Sequence, residues 1–403
     1  MSTACLHAAP ARPAVELADV FRAHGQAYAR THRLTGLQRK VMRAIIQCRT
    51  AALGGVRESC PECGYSRYRY HSCRNRHCPK CQSLAKAQWL EDRRQELLPT
   101  PYFHNVFTLP HELNGLILYS ERNRRALWGL LFHAASETLL AFGRNHLGGT
   151  IGLTLVLHTW DQQLRPHFHV HAVVTGGALS EDGSQWFDAG RKFLFPVRAL
   201  SRVFRGKYVE GVEELLAENQ LDLPPQLAES DDQRRLVRTL RRKAWVVYSK
   251  RPFAGPEKLL DYLGRYTHRV AVSNHRIRSL QDGQVKLTYR DRRDGDRQKL
   301  MQLPAEEFID RFLKHVLPKS FMRIRHYGLL ANRAKQHRLA ACRRLLDVAP
   351  PEPSEPKSPA DWLLSWTGED MTRCPHCGHT ELVSEELPRM FQSRRFTVDD
   401  AFW

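Results

Sequence analysis

Four of the five cysteines between residues 60 and 81 restrict how this chain can fold more than any other feature. They form two Cys-x-x-Cys pairs, Cys60 with Cys63 and Cys78 with Cys81, in the segment CPECGYSRYRYHSCRNRHCPKC. Each pair can turn two thiolates toward one ion, and two pairs complete the tetrahedral ligand set of Zn²⁺. The spacing predicts one structural zinc site, whereas a redox pair would not need the second Cys-x-x-Cys. Two nearby residues compete for the fourth position: Cys73 and His77.

A third pair, Cys374 and Cys377, lies near the C-terminus in RCPHCGH. It follows VAPPEPSEPKSPADW, a proline-rich and polar stretch typical of a linker. One pair supplies only half of a zinc site, although His376 or His379 would add a ligand. A small zinc-bearing tail and an unmetallated, flexible tail both remain open from the sequence.

The charge balance indicates a polyanionic partner. The 403 residues include 62 Lys and Arg against 42 Asp and Glu, a net charge of +20, and 42% are hydrophobic. This composition is typical of a globular protein, and such a surplus of positive charge favours nucleic acid, with an ordinary charged surface as the alternative. The sequence shows neither a signal peptide nor an apolar run of membrane-spanning length, so we expect no membrane association and reduced cysteines.

Three histidines alternate along PHFHVHA, at positions 167, 169 and 171. Alternate side chains of a strand share one face, so His167, His169 and His171 lie together while Phe168 and Val170 point into the core. The preceding segment TIGLTLVLHTW is rich in β-branched residues and predicts a neighbouring strand. Clustered imidazoles favour a divalent metal site, with ordinary surface histidines as the alternative.

The rest of the chain predicts an α+β fold, an antiparallel sheet flanked by helices. Hydrophobic periodicity indicates helices over 15–48, 84–98, 121–149, 233–250 and 256–268. Strands are expected at 150–160, at 167–177, and around a turn at Asp282-Gly283. We expect three domains: a helical and zinc-binding domain at 1–98, a catalytic domain at 99–335, and a basic helix, linker and Cys-x-x-Cys tail at 336–403.

Two tyrosines in PEKLLDYLGRYTHRVAVSN are four residues apart, so a helix would place both on one face. Tyrosine can act as a covalent nucleophile, and attack on phosphorus would conserve the energy of a phosphodiester in a phosphotyrosine bond. However, Leu259, Tyr262, Leu263 and Tyr266 also form the stripe expected of a buried helix face. Periodicity alone favours the core interpretation.

Together these motifs resemble the two-tyrosine HUH transposases of the insertion sequence 91 family. The resemblance rests on HFHVH and YLGRY after CPECG…SCRNRHCPKCQ, and on LHTWDQQL, VVTGGAL, THRVAVSN and FLKHVLPKSFMRIRHYGLL. It covers most of residues 35–335 in the expected order. The histidine motif is shared with relaxases and replication initiators, so the tyrosine spacing and the flanking segments distinguish between these classes.

The resemblance implies an HUH endonuclease core and a mechanism. His169 and His171 would hold Mg²⁺ or Mn²⁺, with His167 either as a candidate third ligand or as a residue that supports a ligand without touching the metal, and Tyr262 and Tyr266 would be the nucleophiles. Attack on single-stranded DNA at a transposon end would leave a 5′-phosphotyrosine and a free 3′-hydroxyl, as in rolling-circle transposition. The expected partners are single-stranded transposon ends and target DNA, in the cytoplasm of a bacterium and associated with its nucleoid.

Four arginines are candidates for contacts with DNA, although helix and loop surfaces often carry such charge. They are Arg74, Arg76, Arg265 and Arg269. Other functions stay open from the sequence: a relaxase or replication initiator with the same chemistry, a metal-dependent nuclease that activates water, and a non-catalytic zinc DNA-binding regulator. No spacing among Asp161, Asp188 and Asp261 supports a carboxylate triad.

Overall fold

The computed structural model describes residues 13–190, 194–250, 252–253, 256–266, 271–352, 355 and 357–390. The side chains at 256, 257, 261, 265 and 266 lie outside this description. The α-helices described are α1 Leu17–Thr31, α2 Gly36–Gln47, α3 Gln82–Arg94, α4 Asn114–Tyr119, α5 Glu121–Phe142, α6 Val197–Ala217, α7 Ser230–Arg242, α8 Pro256–Tyr266, α9 Ala305–Leu313, α10 Lys335–Leu345 and α11 Pro359–Thr367. The strands described are β1 Gly55–Ser59, β2 Ser66–Tyr70, β3 Tyr102–Thr108, β4 Thr150–Trp160, β5 Pro166–Leu179, β6 Trp186–Asp188, β7 Val247–Lys250, β8 Ile277–Gln281, β9 Gln284–Asp291, β10 Arg297–Pro304, β11 Ile324–Gly328 and β12 Val383–Leu387.

The chain divides into two compact units, each assembled from separate segments. The first, which we name the cysteine unit, contains the described residues within 1–88, 268–316 and 353–403. The second, the histidine unit, contains those within 89–267 and 317–352. The sequence predicts three consecutive domains, whereas both units of the structure are discontinuous along the chain.

The histidine unit contains a six-stranded antiparallel sheet. Its strands follow the order β11-β4-β5-β3-β7, and β6 pairs with β5. On one face, Phe168, Val170 and Ala172 of β5 join the main hydrophobic core with residues of α5 and α6. Nearly every residue of β4 and β5 is buried, which explains why both read as apolar in the sequence. The predicted α+β fold with an antiparallel sheet is confirmed.

Helix α5 begins and ends where its local sequence predicts. The Ser120 hydroxyl accepts a hydrogen bond from the Asn123 amide at 3.1 Å, which caps the first turn. A π-helical turn extends the helix to Leu147, and Gly148 stops it in the left-handed conformation with φ 78°. The stretch Glu121–Leu147 is long and apolar enough to cross a membrane, but 61% of its apolar window is buried inside the protein, as in a core helix.

Two of the helical predictions are only partly right. The helix predicted at 15–48 is interrupted, because Thr35 starts α2 anew with a capping box to Gln38. The helix predicted at 233–250 ends at Arg242, and its last four residues, Val247–Lys250, pair as β7 with β3. Tertiary pairing therefore overrides the local helical pattern at 247–250.

The cysteine unit contains two three-stranded antiparallel sheets, β12-β1-β2 and β10-β9-β8. The predicted hairpin turn at Asp282-Gly283 joins β8 to β9, with φ of 50° and 70° at the two turn residues. Helix α9 packs against α1, where Phe21 and Phe312 meet edge to face at 5.6 Å. This packing brings a segment from 271–316 together with the N-terminal helices.

His326 on β11 is a histidine whose surroundings in the histidine unit disfavour its protonated form. Burial, followed by the charges of Arg93 and Lys335, lowers its pKa to about 3. Its Nδ1 lies 3.0 Å from the Thr154 hydroxyl and its Nε2 lies 3.1 Å from Arg93 Nη1. The guanidinium only donates, so Nε2 must accept, and a second proton on this ring would oppose Arg93.

We therefore expect acid to destabilise the fold through His326. Between pH 6.5 and 3 the unfolded chain binds a proton here that the folded chain does not, so the free energy of unfolding falls as pH falls, by at most about 1.4 kcal/mol per pH unit. Urea unfolding at pH 7 and pH 5 should show a smaller loss for His326→Gln than for the unaltered chain. The exposed His133 provides the control, as His133→Gln. An unchanged pH slope in His326→Gln would contradict the assignment.

Candidate active site and cysteine clusters

Three buried histidines of the central strands gather their ring nitrogens at one place. His158 comes from β4, and His169 and His171 come from β5. One ligand atom from each lies within 4.8 Å of the others, and each residue is at most 8% exposed. The register explains the cluster, because His158 pairs directly with His169 across β4 and β5, so their side chains share a face.

The hydrogen bond of His169 fixes which of its nitrogens is available. Its Nδ1 lies 3.0 Å from the carbonyl oxygen of His167, so Nδ1 carries the hydrogen and donates. The lone pair of Nε2 then faces His171 Nε2 at 3.1 Å. A cation between two such nitrogens would relieve their repulsion, so the donor set fits a divalent metal ion.

The structure places His167 outside this cluster. Its side chain is exposed, and its ring contacts that of His169 at 4.7 Å between centroids. It shares the face of His169 and His171, as alternation predicts, but the third nitrogen comes from His158 on the neighbouring strand. The contribution of His167 in the structure is the carbonyl oxygen that orients His169. The sequence segment LHTWDQQL contains His158, but only strand register shows that it joins the site.

Tyr262 on α8 belongs to both a hydrophobic cluster and the histidine site. It packs with Tyr102, Val173, Leu259 and Leu263 and is 8% exposed. Its hydroxyl lies 2.6 Å from His171 Nδ1. A buried helix face and a nucleophilic role are therefore compatible for Tyr262. Its ring is buried in the hydrophobic cluster, and its hydroxyl reaches the histidine site.

His104 on β3 is a site residue that the sequence analysis missed. Its Nε2 lies 2.6 Å from the Tyr262 hydroxyl and 2.9 Å from His171 Nδ1. Burial, and then the charge of Lys250, lowers the pKa of His104 to about 3, so the ring is neutral near pH 7. Within the described residues its Nδ1 is buried without a hydrogen-bond partner. The segment YFHNVFT shows one histidine in an apolar strand, and nothing local distinguishes it from a core residue.

One proton arrangement satisfies the contacts around the tyrosine. If His171 Nε2 offers its lone pair to a metal ion, its Nδ1 carries the hydrogen and donates to the Tyr262 oxygen. The Tyr262 hydroxyl then donates to His104 Nε2. His171 would stabilise negative charge on the tyrosine oxygen, and His104 would accept its proton.

Several predicted site residues lie elsewhere or outside the described part of the chain. Tyr266 ends α8, but its side chain and that of Arg265 are not described, and Arg269 lies wholly outside the description. Asp161 accepts hydrogen bonds within its own turn, including one from the Arg165 guanidinium at 2.8 Å. Asp188 accepts a hydrogen bond from the Trp186 indole, so neither described aspartate supports a carboxylate triad.

The eight cysteines of the cysteine unit form two clusters of four. The first, which we name the helix cluster, contains Cys48, Cys73, Cys78 and Cys81. The second, the tail cluster, contains Cys60, Cys63, Cys374 and Cys377. In each, the ligand atoms lie within 4.8 Å of one another, and all of these cysteines are free of disulfides.

The four cysteines predicted to share one zinc site are divided between the two clusters. The structure therefore corrects the prediction of a single four-cysteine site. Cys60 and Cys63 lie at the turn between β1 and β2, whereas Cys78 and Cys81 precede α3 beside the end of α2. Cys48 at the C-terminus of α2 lies 3.3 Å from Cys81, sulfur to sulfur. Cys48 has no Cys-x-x-Cys partner, so no local pattern predicts it as a ligand.

The other residues predicted in this segment have separate positions. Cys73, an alternative ligand in the sequence, is a full member of the helix cluster. His77 is buried outside both clusters, with Nδ1 3.1 Å from the Asn75 side-chain oxygen. Arg74 is exposed and has φ 50°, whereas Arg76 is partly buried, which lowers its pKa.

Comparison with known proteins identifies the family. The family model described as "Putative transposase" matches residues 152–338, and the one described as "Transposase zinc-binding domain" matches residues 20–109. A relative from Sinorhizobium fredii, "Putative transposase y4qJ", is 48% identical over 94% of this chain and 96% of its own length. The transposase for insertion sequence element IS801 from Pseudomonas savastanoi pv. phaseolicola is 29% identical over 86% of this chain and 83% of its own. The chain belongs to the insertion sequence 91 family of transposases and carries its N-terminal zinc-binding domain.

Solved structures show a more distant similarity. The conjugative relaxase TrwC in complex with OriT DNA matches 40% of this chain and 70% of its own, with 14% sequence identity and a TM-score of 0.22. Its metal-bound form matches 40% of this chain and 69% of its own, with 14% identity and a TM-score of 0.23.

Proposed function

We propose that this transposase is an HUH single-strand DNA endonuclease and strand transferase that works through a covalent bond between tyrosine and DNA. The observation that carries the proposal is the contact of Tyr262 with His171. The same imidazole lies 2.6 Å from the tyrosine oxygen through Nδ1 and belongs to the three-histidine cluster through Nε2. The imidazole of His171 therefore connects the proposed nucleophile, Tyr262, with the proposed metal site.

In the first step the Tyr262 oxygen attacks the phosphorus of a phosphodiester. A bond forms between that oxygen and phosphorus, the bond to the 3′-oxygen breaks, and the downstream strand stays on the protein as a 5′-phosphotyrosine. His104 Nε2 accepts the phenolic proton, and His171 Nδ1–H donates to the attacking oxygen. Because burial lowers the pKa of His104 to about 3, the ring is neutral before the attack and gives up the accepted proton to water, and the 3′-oxygen takes a proton from water as it leaves.

In the second step a 3′-hydroxyl of the strand to be joined attacks the phosphotyrosine and releases the tyrosine. The energy of the broken phosphodiester is conserved in the intermediate, so joining needs no other energy source. Tyr266, four residues after Tyr262 in the chain, is the proposed nucleophile for the other strand-transfer step. Single-stranded transposon ends and target DNA are the proposed substrates.

His158, His169 and His171 are the proposed ligands of the catalytic metal. An ion held there would polarise the scissile phosphate and offset the charge that develops on it. Imidazole nitrogens suit Mn²⁺ better than Mg²⁺, which prefers oxygen ligands, so of the two predicted ions the donor set favours Mn²⁺. The exposed Arg74 and the net charge of +20 support binding of the DNA backbone, and Arg76, Arg265 and Arg269 remain candidates.

The zinc of the N-terminal domain is proposed to bind at the helix cluster. The matched zinc-binding region, 20–109, contains all four of its cysteines. The sulfurs of Cys73 and Cys81 lie 3.5 Å apart. Four thiolates around Zn²⁺ at 2.3 Å would lie about 3.8 Å from one another, close to this spacing.

Peptide mapping of the covalent adduct tests the mechanism directly. Single-stranded DNA from the ends of the element, labelled on the 3′ side of the cleavage site, is incubated with the full chain and Mn²⁺. Trypsin cleavage after Lys258, Arg265 and Arg269 separates LLDYLGR, which contains Tyr262, from YTHR, which contains Tyr266. We expect labelled nucleotide on LLDYLGR. Cleaved DNA without any protein-bound label would instead indicate a nuclease that activates water.

A further inference from the structure

The tail cluster lies partly outside the matched zinc-binding region, which ends at residue 109. We propose that Cys60, Cys63, Cys374 and Cys377 form a second structural zinc site, which fixes the C-terminal tail to the N-terminal hairpin. The site is independent of the active site and of the helix cluster.

The sulfur spacing fits a shared metal ion and excludes direct bonding. Cys60 lies 3.5 Å from Cys377, and Cys63 lies 3.6 Å from Cys374, sulfur to sulfur. A disulfide would need about 2.0 Å, whereas tetrahedral Zn²⁺ with sulfurs at 2.3 Å separates its ligands by about 3.8 Å. Zn²⁺ binds the thiolate form, so an ion held here would bring all four thiols into that form.

Each half of the site has the backbone geometry of a zinc knuckle. In the N-terminal half, the Gly64 amide donates to the Cys60 carbonyl at 3.0 Å, and the Cys60 amide donates to the Tyr65 carbonyl at 2.8 Å. Gly64 has φ 72°, a conformation that glycine adopts without strain. The tight turn holds both cysteines of the pair toward one point.

The tail repeats this arrangement in every detail. The Gly378 amide donates to the Cys374 carbonyl at 2.9 Å, the Cys374 amide donates to the His379 carbonyl at 2.8 Å, and Gly378 has φ 79°. The matching sequences are CPECGY and CPHCGH. Two equivalent half-sites that face each other are the construction of a four-cysteine zinc ribbon.

Strand pairing holds the two halves in register. β12 of the tail pairs antiparallel with β1, from Gly55 with Leu387 to Ser59 with Val383. The Arg67 guanidinium also donates to the Met371 carbonyl at 2.5 Å, just before the tail knuckle. A five-residue exposed strand on a three-stranded sheet has few apolar contacts, so a metal ion would supply the stability that the small sheet lacks.

Zinc content of the purified full chain tests this proposal. We expect the double substitution Cys374→Ser and Cys377→Ser to remove one equivalent of zinc relative to the unaltered chain. The double substitution Cys48→Ser and Cys73→Ser should remove a different single equivalent. Cys342→Ser, at a buried cysteine outside both clusters, is the matched control and should lose none.

Cobalt substitution separates thiolate sites from the histidine cluster. Thiolate-to-cobalt charge-transfer absorption comes from cysteine ligands alone, so its intensity should halve in the Cys374→Ser and Cys377→Ser protein. Cys377→His, which keeps a zinc ligand, should retain the zinc, and this distinguishes ligand loss from general misfolding. Unchanged zinc content and unchanged charge-transfer intensity in the double variant would overturn the proposal.

Discussion

Replacing Tyr262 with phenylalanine is expected to abolish the labelled protein–DNA adduct at that position and to slow cleavage by roughly 10³-fold or more. The substitution removes only the oxygen that lies 2.6 Å from both His104 and His171. The ring stays in its cluster with Leu259 and Leu263, so we expect the loss of the hydrogen bonds to cost only about 1 kcal/mol of stability.

The effect of Tyr262→Phe is measured as initial rates of cleavage and as adduct on a denaturing protein gel. Tyr248→Phe is the matched control, because Tyr248 lies in the same unit and is 52% exposed. It should cleave at the rate of the unaltered chain. Tyr266→Phe and the double variant show how the second tyrosine contributes. Full adduct formation by Tyr262→Phe would refute its role as the first nucleophile.

Replacing His158 with alanine is expected to weaken Mn²⁺ binding by at least about 100-fold. The loss of a metal ligand costs more affinity than the loss of a residue that only hydrogen-bonds to a ligand. His158 supplies one of three nitrogens that lie within 4.8 Å of one another, and among the described residues this group contains only His158, His169 and His171. Cleavage should fall at low Mn²⁺ and recover partly at high Mn²⁺.

His167→Ala is the control that distinguishes the two candidates for the third ligand: His158, which the structure places in the cluster, and His167, which the sequence suggests. It removes the exposed ring but keeps the carbonyl oxygen that accepts from His169 Nδ1. We therefore expect Mn²⁺ affinity within about threefold of the unaltered chain. Calorimetric titration of Mn²⁺ into both variants decides the question, and a greater loss in His167→Ala than in His158→Ala would restore His167 as the third ligand.

The sequence predicts features that depend on local patterns. Strand β4 has the bounds expected from TIGLTLVLHTW, and β5 places His169 and His171 on one face, as alternation requires. The α8 segment is helical, as its periodicity indicates. These features follow from side-chain periods of 2.0 and 3.6 residues, which the chain carries within each element.

Features that depend on pairing between distant segments are not predictable in this way. His158 and His104 reach the site through the register of β4 and β3 with β5, which no single strand encodes. Cys48 is a lone cysteine until α2 is packed. The tail pair did have a local signal, because CPHCGH repeats the form of CPECGY, although only the structure brings the two motifs together.

The pairing of β1 with β12 has a consequence for how the protein is made. Cys60 and Cys377 are 317 positions apart, so at about 5 to 20 residues per second a ribosome needs roughly 15 to 60 s to supply the second after the first. Until then the N-terminal hairpin has an unpaired edge and two unpartnered thiols. A polypeptide that ends before β12, through a nonsense mutation or a broken message, never completes this sheet, so only a chain extended through Leu387 can pair β12 with β1.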